Sequence, residues 1–218
     1  MDLIINTSGS TAQPKTVHHN HKSVQNMLER SIRELQLTQD DIVLNVYPSN
    51  VIAYYAITGL PAITAGSQLA SIQWNAWQYI DWLHEIRPTV ISLIPPQINA
   101  LMQTKSWVHA DFSSVRYCVT GSQNVHQSII DALLQKGVTT VGNWYGSTEY
   151  PPPLFVGYNS VQFNFTQSSP HHSLTFNGST SCSELLVDGK RTDDFFDLRN
   201  NTFICRGKED PGFKTWKK

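Results

Sequence analysis

Thr7, Ser8, Gly9, Ser10 and Thr11 stand in a row near the amino terminus, and Lys15 follows after Ala12, Gln13 and Pro14. Small residues of this kind leave backbone N–H groups available to an oxyanion. The hydroxyls of Ser8, Ser10 and Thr11 add donors, and Lys15 adds a mobile cation. The chemistry indicated is phosphate binding. The apolar run Leu3-Ile4-Ile5 before the loop reads as a short strand, and the polar segment after it reads as a helix. A loop so placed would gain the partial positive charge of a helix start. The spacing comes close to GxxxxGK[ST], with Pro14 where that motif needs glycine. Proline has a fixed φ and lacks a donor, so this is not a loop of that type.

The composition sets the surroundings of such a loop. The chain has 218 residues, 15% of them charged, and a formal net charge of −1. It carries no basic field for nucleic acid or an anionic membrane. An aromatic content of 11%, with six Trp, argues against disorder. No apolar run is long enough to span a membrane, and Met1–Asn6 do not form a signal peptide. Cys118, Cys182 and Cys205 are odd in number and far apart, which fits neither a disulfide framework nor a zinc site. A reduced, cytoplasmic protein is expected.

The elements that would carry the site follow from periodicity. Val24, Met27, Leu28, Ile32 and Leu35 predict a helix over residues 22–36. Residues 42–46 predict a strand, whereas residues 51–66 are apolar and leave helix and strand undecided. Trp74, Trp77, Ile80, Leu83 and Ile86 predict an amphipathic helix that stops before Pro88. Regular alternation follows: strand 89–94, a helix opened by Pro95-Pro96, strand 116–120, a helix ending at Gly137, and strand 138–141. Apolar strands alternating with helices predict an α/β fold, a parallel sheet covered by helices on both faces. After Pro151-Pro152-Pro153, short β runs at 154–158, 161–166, 173–176, 184–187 and 202–205 predict a small antiparallel, barrel-like β unit, with a hairpin turn at Asn200-Asn201. The expected division is residues 1–150 for the α/β core, 151–210 for the β unit and 211–218 for a tail.

Thr7–Lys15 resembles the [ST]SG[ST]TGxPKG signature of the adenylate-forming superfamily, which comprises acyl- and aryl-CoA synthetases, peptide-synthetase adenylation domains and luciferases. Ala12 and Thr16 stand where glycines are usual. Asn143-Trp144-Tyr145-Gly146-Ser147-Thr148-Glu149, directly after a predicted strand, resembles the NxYGxTE motif. Gly121-Ser122 lies where that family has a Gly-rich turn lining adenine. Ser183–Gly189 is similar to GELxVxG, Arg191–Asp194 to a TGD motif, and Phe203–Lys208 to a GRxK hinge segment. Asp193 and Cys205 replace glycines of those last two patterns.

The resemblance implies ATP/AMP and Mg²⁺ as cofactors and a small-molecule carboxylic acid as substrate. Lys15 and the loop would hold phosphates, Tyr145 would cover adenine, and Asn143 would read its amino group. Thr148 would meet the α-phosphate and Glu149 would hold Mg²⁺. Asp194 would bond the ribose, and Arg206 would contact ribose and phosphate. The same resemblance implies that the chain covers only the central part of a family enzyme. The carboxy-terminal domain that carries the adenylation lysine falls outside it, and Lys214, Lys217 and Lys218 are poor substitutes. Two expectations stay open: slow acyl-adenylate formation, alone or with a partner, and a non-catalytic nucleotide- or acyl-adenylate-binding module. Faces that full-length members bury favour self-association or a partner chain.

His18, His19 and His21 read as phosphate-loop neighbours rather than metal ligands, and His171-His172 as solvated. Trp74, Trp77 and Trp82 read as core, and Cys118 as an inert buried thiol.

Overall fold

A computed structural model describes residues 2–7, 15–164, 170–200 and 202–207. Strands β1 (Leu3–Thr7) and β2 (Lys15–His19) pair as an antiparallel hairpin, with Leu3 opposite His19 and Thr7 opposite Lys15. Helix α1 (His21–Leu35) follows, capped by Asn20, whose side-chain oxygen accepts from the Ser23 N–H at 2.9 Å. The candidate loop therefore does not run from a strand into a helix. Alternation in Lys15–His19 turns Val17 and His19 inward, so this segment pairs as a strand and the helix begins beyond it. Ser8, Gly9, Ser10 and Thr11 lie outside the described residues.

The main sheet begins with β3 (Ile42–Asn45). Helices α2 (Ile52–Ala56) and α3 (Gly59–Ala65) resolve the ambiguous stretch in favour of helix and lead to β4 (Gln68–Ser71). Then come α4 (Tyr79–Ile86), β5 (Val90–Ser92), α5 (Pro95–Met102), β6 (Tyr117–Gly121), α6 (Gln127–Gln135), β7 (Thr140–Tyr145) and β8 (Phe155–Tyr158). The sheet order is β4-β3-β5-β6-β7-β8, parallel throughout except for β8, which pairs antiparallel with β7.

Neighbouring residues on each strand enter opposite cores, as the pleat requires. Leu44, Ile91, Cys118 and Val141 pack with Ile80, Leu83, Ile98, Leu101 and Leu133 of α4, α5 and α6. Val43, Val90, Val119 and Trp144 pack with Val24, Met27, Leu35, Ala56 and Ala62 of α1, α2 and α3, and with Leu3 and Ile5 of the hairpin. Helices thus cover both faces, as the alternation predicted.

The second sheet comprises β9 (Phe163–Asn164), β10 (Leu174–Ser179), β11 (Cys182–Val187), β12 (Lys190–Arg199) and β13 (Thr202–Gly207), all antiparallel, in the order β10-β11-β12-β13-β9. The antiparallel unit is as expected, but it is an open sheet; no closed barrel forms among the described residues. Phe155 of β8 meets Phe203 edge-on at 4.6 Å, within a cluster that includes Phe163 and Phe196, so aromatic packing joins the two sheets.

Three further expectations change. The run 154–158 belongs to the first sheet as β8, because it pairs with β7 rather than with the strands after it. The helix around the tryptophans is shorter, beginning at Tyr79; Trp74 packs on Tyr79 from the preceding loop, and Trp77 is 72% exposed rather than core. Arg191–Asp194, which falls between the expected β runs 184–187 and 202–205, lies inside β12. Cys118 is buried and its thiol is pushed up to about 12, as an inert core residue should be. Among the described residues no helix is long and apolar enough to cross a membrane.

Candidate functional site

From β3 the chain passes to β4 on one side and then returns to β5 on the other. Loops at the carboxyl ends of strands diverge at such a reversal, which opens a crevice there. A cleft of about 10 Å³ lies at those ends, lined by Tyr47, Ser92, Thr120, Gly121, Trp144 and Gly146 among others. That is room for about one water. The Tyr47 hydroxyl is 2.9 Å from Ser92 Oγ, and Ser92 donates to the Val119 carbonyl at 3.2 Å. Thr120 Oγ1 is buried without a hydrogen-bond partner among the described residues. Gly121 and Gly146 are needed for backbone approach. A Cβ on Gly121 would come 2.2 Å from the Trp144 carbonyl oxygen, and one on Gly146 would come 2.6 Å from the Pro152 nitrogen.

The signature 143–149 does not simply follow a strand, because Asn143, Trp144 and Tyr145 are part of β7. Asn143 is buried, and its amide donates to the Val161 carbonyl at 3.4 Å. Tyr145 packs on Phe155 and Phe196, and its hydroxyl donates to Asp194 Oδ2 at 2.6 Å. Burial and the adjacent carboxylate push the Tyr145 phenol well above its ordinary range.

After Gly146 the chain makes a tight turn in which the Ser147 N–H donates to the Tyr150 carbonyl at 2.9 Å, and Tyr150 N–H donates to Ser147 Oγ at 3.2 Å. This turn presents Thr148 and Glu149. Glu149 pairs with Lys15 Nζ at 3.0 Å, and His19 Nε2 lies 2.8 Å from the Thr148 carbonyl. Burial holds the His19 imidazole below its ordinary value, so at neutral pH it is uncharged and donates through Nε2. The Glu149 carboxyl also sits low: burial opposes its charge, but its own backbone N–H and the Lys15 ammonium outweigh that.

The second sheet supplies the rest. Asp193 takes φ +57° where the related motif has glycine, a conformation that Asp tolerates better than most residues. Its N–H donates to buried Glu184 at 3.1 Å, and Asp194 N–H donates to Thr192 Oγ1 at 3.2 Å. These contacts aim Asp194 at Tyr145. Arg206 Nε donates to Asp197 at 2.8 Å, so its guanidinium is held on its own sheet. The Arg206 carbonyl accepts from Asn124 Nδ2 at 3.3 Å, which brings β13 to the turn after Gly121-Ser122.

The described site residues thus form two linked groups, Lys15 with Thr148 and Glu149, and Tyr145 with Asp194. Asn124 and Asp197 lie in no motif, and the contacts of His19 and of Glu184, the acidic residue of the GELxVxG-like segment, are tertiary, so spacing alone does not reveal them. His172 was expected in solvent, yet it lies 2.8 Å from Asp188 and edge-on to Tyr150.

The sequence profile described as "AMP-binding enzyme" matches residues 2–179. The chain belongs to that family. Among curated relatives, an indoleacetate–CoA ligase from Aromatoleum aromaticum is 30% identical over 151 residues, which is 69% of this chain and 29% of that protein. The chain therefore spans less than a third of this relative's length. Among solved structures, an anthranilate CoA ligase in complex with anthranoyl-AMP superimposes with a TM-score of 0.78 at 15% identity, covering 94% of this chain and 46% of the other. O-succinylbenzoate coenzyme A synthetase from Bacillus subtilis, in complex with ATP and magnesium ion, gives 0.75 at 15%, covering 93% and 49%. At these identities the structural likeness establishes the fold of this member of the AMP-binding family.

Proposed function

We propose that the chain binds ATP and a carboxylic acid at the carboxyl edge of the six-stranded sheet and joins them as an acyl-adenylate. Support comes from the convergence of Lys15, Thr148 and Glu149, with Tyr145 and Asp194 beyond them, in a member of the AMP-binding family. In this reading Ser8, Ser10, Thr11 and Lys15 hold the β- and γ-phosphates. Tyr145 and the Gly121-Ser122 turn flank adenine, and the Asn143 amide oxygen accepts from its amino group. Asp194, steadied by Tyr145, accepts from the ribose hydroxyls, and Thr148 donates to the α-phosphate.

Magnesium fits one residue. No group of three His, Cys, Asp or Glu forms a cage among the described residues, and Mg²⁺ bound to a nucleotide uses only one or two protein carboxylates. Glu149 is such a carboxylate, partly exposed and ionised. When bound there the ion would neutralise phosphate charge. The reaction itself is in-line: a carboxylate oxygen forms a bond to the α-phosphorus, the bond to the bridging oxygen breaks, and pyrophosphate leaves with the electron pair. Lys15 lies where charge accumulates, and loss of one such stabiliser costs about two to three decades in rate.

The second reading, nucleotide binding without turnover, is favoured by Arg206, whose guanidinium is engaged by Asp197 rather than presented to a ligand. Calorimetric titration of AMP and ATP·Mg²⁺, followed by ATP–pyrophosphate exchange across a panel of aliphatic and aromatic acids, separates them. Binding with acid-dependent exchange supports adenylation. Binding without exchange supports the second reading, and no binding by the folded protein overturns both.

A further inference from the structure

Along the amino-terminal half of α1 lies a second cavity, of about 210 Å³, that shares no residue with the site above. Its wall includes Asn20, Lys22, Asn26 and Arg30 of the helix and its cap, and His171 and His172 from across the cavity. Arg30 is 5% exposed and sits on the helix face that Val24, Met27 and Leu35 use for the core. Its Nη2 has no hydrogen-bond partner among the described residues. Burial and the charge of Arg33, partly offset by Glu34, depress its ionisation to about 10, which leaves the guanidinium charged at neutral pH.

A buried cation with an unmet donor is costly unless an anion meets it. Glu34, one turn further along α1, attracts Arg30 electrostatically but spends its hydrogen bonds on Tyr117 and Tyr158, while Asp188 holds His172 and Glu149 holds Lys15. The first turn of α1 carries no acidic side chain, and Lys22 adds a second positive charge at the helix end whose dipole already favours anions. Amides at Asn20 and Asn26 can donate as well.

We propose that this cavity is an oxyanion site, with Arg30 as the anchor and Lys22 and the amide groups as further donors. It would receive the phosphate or carboxylate end of a small metabolite other than the nucleotide of the first site. A guanidinium presents its N–H groups in a fork that suits either group.

The test uses the purified chain with ¹⁵N-labelled arginine. Inorganic phosphate and acetate are titrated separately against sodium chloride of equal ionic strength. Saturable movement of the Arg30 Nε–H resonance, assigned with Arg30→Lys, is expected in phosphate or acetate and not in chloride. The anion that moves it names the source chemistry. Affinity for the anion that moves it, read by calorimetric titration of wild type and variants alike, should fall by about tenfold or more in Arg30→Met, the scale of one lost charge-assisted contact. If Arg30→Met does not fold, Lys22→Ala on the exposed rim should weaken the same response. No saturable shift in the wild-type protein, or an unchanged response in the substituted ones, overturns the proposal. Saturating AMP should leave the response intact; competition by AMP would assign the anion to the nucleotide site and overturn it too.

Discussion

The Tyr145 hydroxyl donates to Asp194 across 2.6 Å, bonding β7 of the mixed sheet to β12 of the antiparallel sheet. One member of the pair belongs to the 143–149 signature and the other to the 191–194 segment. The bond sets the distance between an aromatic face and a carboxylate, and it also fixes how the two sheets meet.

Tyr145→Phe should therefore act on both stability and binding. It removes one donor from a half-buried carboxylate, a loss of about 1–3 kcal/mol. AMP affinity should fall with it, by about tenfold for a hydrogen bond to a charged group. Denaturant unfolding and calorimetry read the two effects. An unchanged AMP affinity in the folded variant would remove Asp194 from the binding site.

Lys15→Met should separate function from stability. The Lys15 side chain is 66% exposed, and exposed ion pairs contribute about 1 kcal/mol or less, so the melting temperature should barely move. Affinity for ATP·Mg²⁺ should drop while affinity for AMP, which lacks the β- and γ-phosphates, stays near the wild-type value. Equal losses for both nucleotides would contradict the assignment of Lys15 to the outer phosphates.

His19 gives a pH dependence. Its pKa is held below 6.5, so the unfolded chain binds the extra proton first. The stability that depends on neutral His19 is complete above pH 6.5 and is lost as pH falls through the lower folded value. The turn carrying Thr148 and Glu149 should loosen in that range. An imidazole NMR titration should place the His19 midpoint below 6.5, and His19→Gln should flatten the slope of stability against pH there.

Asp41 and Arg116 make a stability prediction far from the site. Arg116 donates from Nε and Nη2 to the two oxygens of buried Asp41, each at 2.8 Å, and Thr89 Oγ1 donates at 2.6 Å. Burial alone would raise the Asp41 pKa, but these hydrogen bonds overcome it and hold the carboxyl at about 2. A folded value below the unfolded one means stability that is present above about pH 4 and lost towards pH 2. The contribution is about 2 kcal/mol. Asp41→Asn should remove that acid slope without changing nucleotide affinity, because the pair lies at the amino ends of β3 and β6, opposite the cleft.

Much of the architecture is legible in the sequence itself. The helical stripe of Val24, Met27 and Leu35, the stop at Arg87-Pro88 and the helix opened by Pro95-Pro96 all rest on local rules, and the structure follows them. The apolar runs Val90-Ile91 of β5 and Tyr117-Cys118-Val119 of β6 announced strands covered on both sides. Residue types also marked most of the candidate site, since motifs are short and contiguous.

What they could not announce is pairing. Lys15–His19 reads as a helix lead-in until Leu3–Thr7 is there to bond it, and residues 154–158 look like part of the later β unit until β7 claims them. The same holds for chemistry. Only the fold brings Lys15 to Glu149, His19 to Thr148 and Tyr145 to Asp194, and only the fold leaves the Arg30 Nη2 without a partner among the described residues. Periodicity and turn preference are set by neighbours along the chain, so they can be read from it. Contacts between residues far apart in sequence depend on which surfaces exclude water together, and that is decided when the sheets pack.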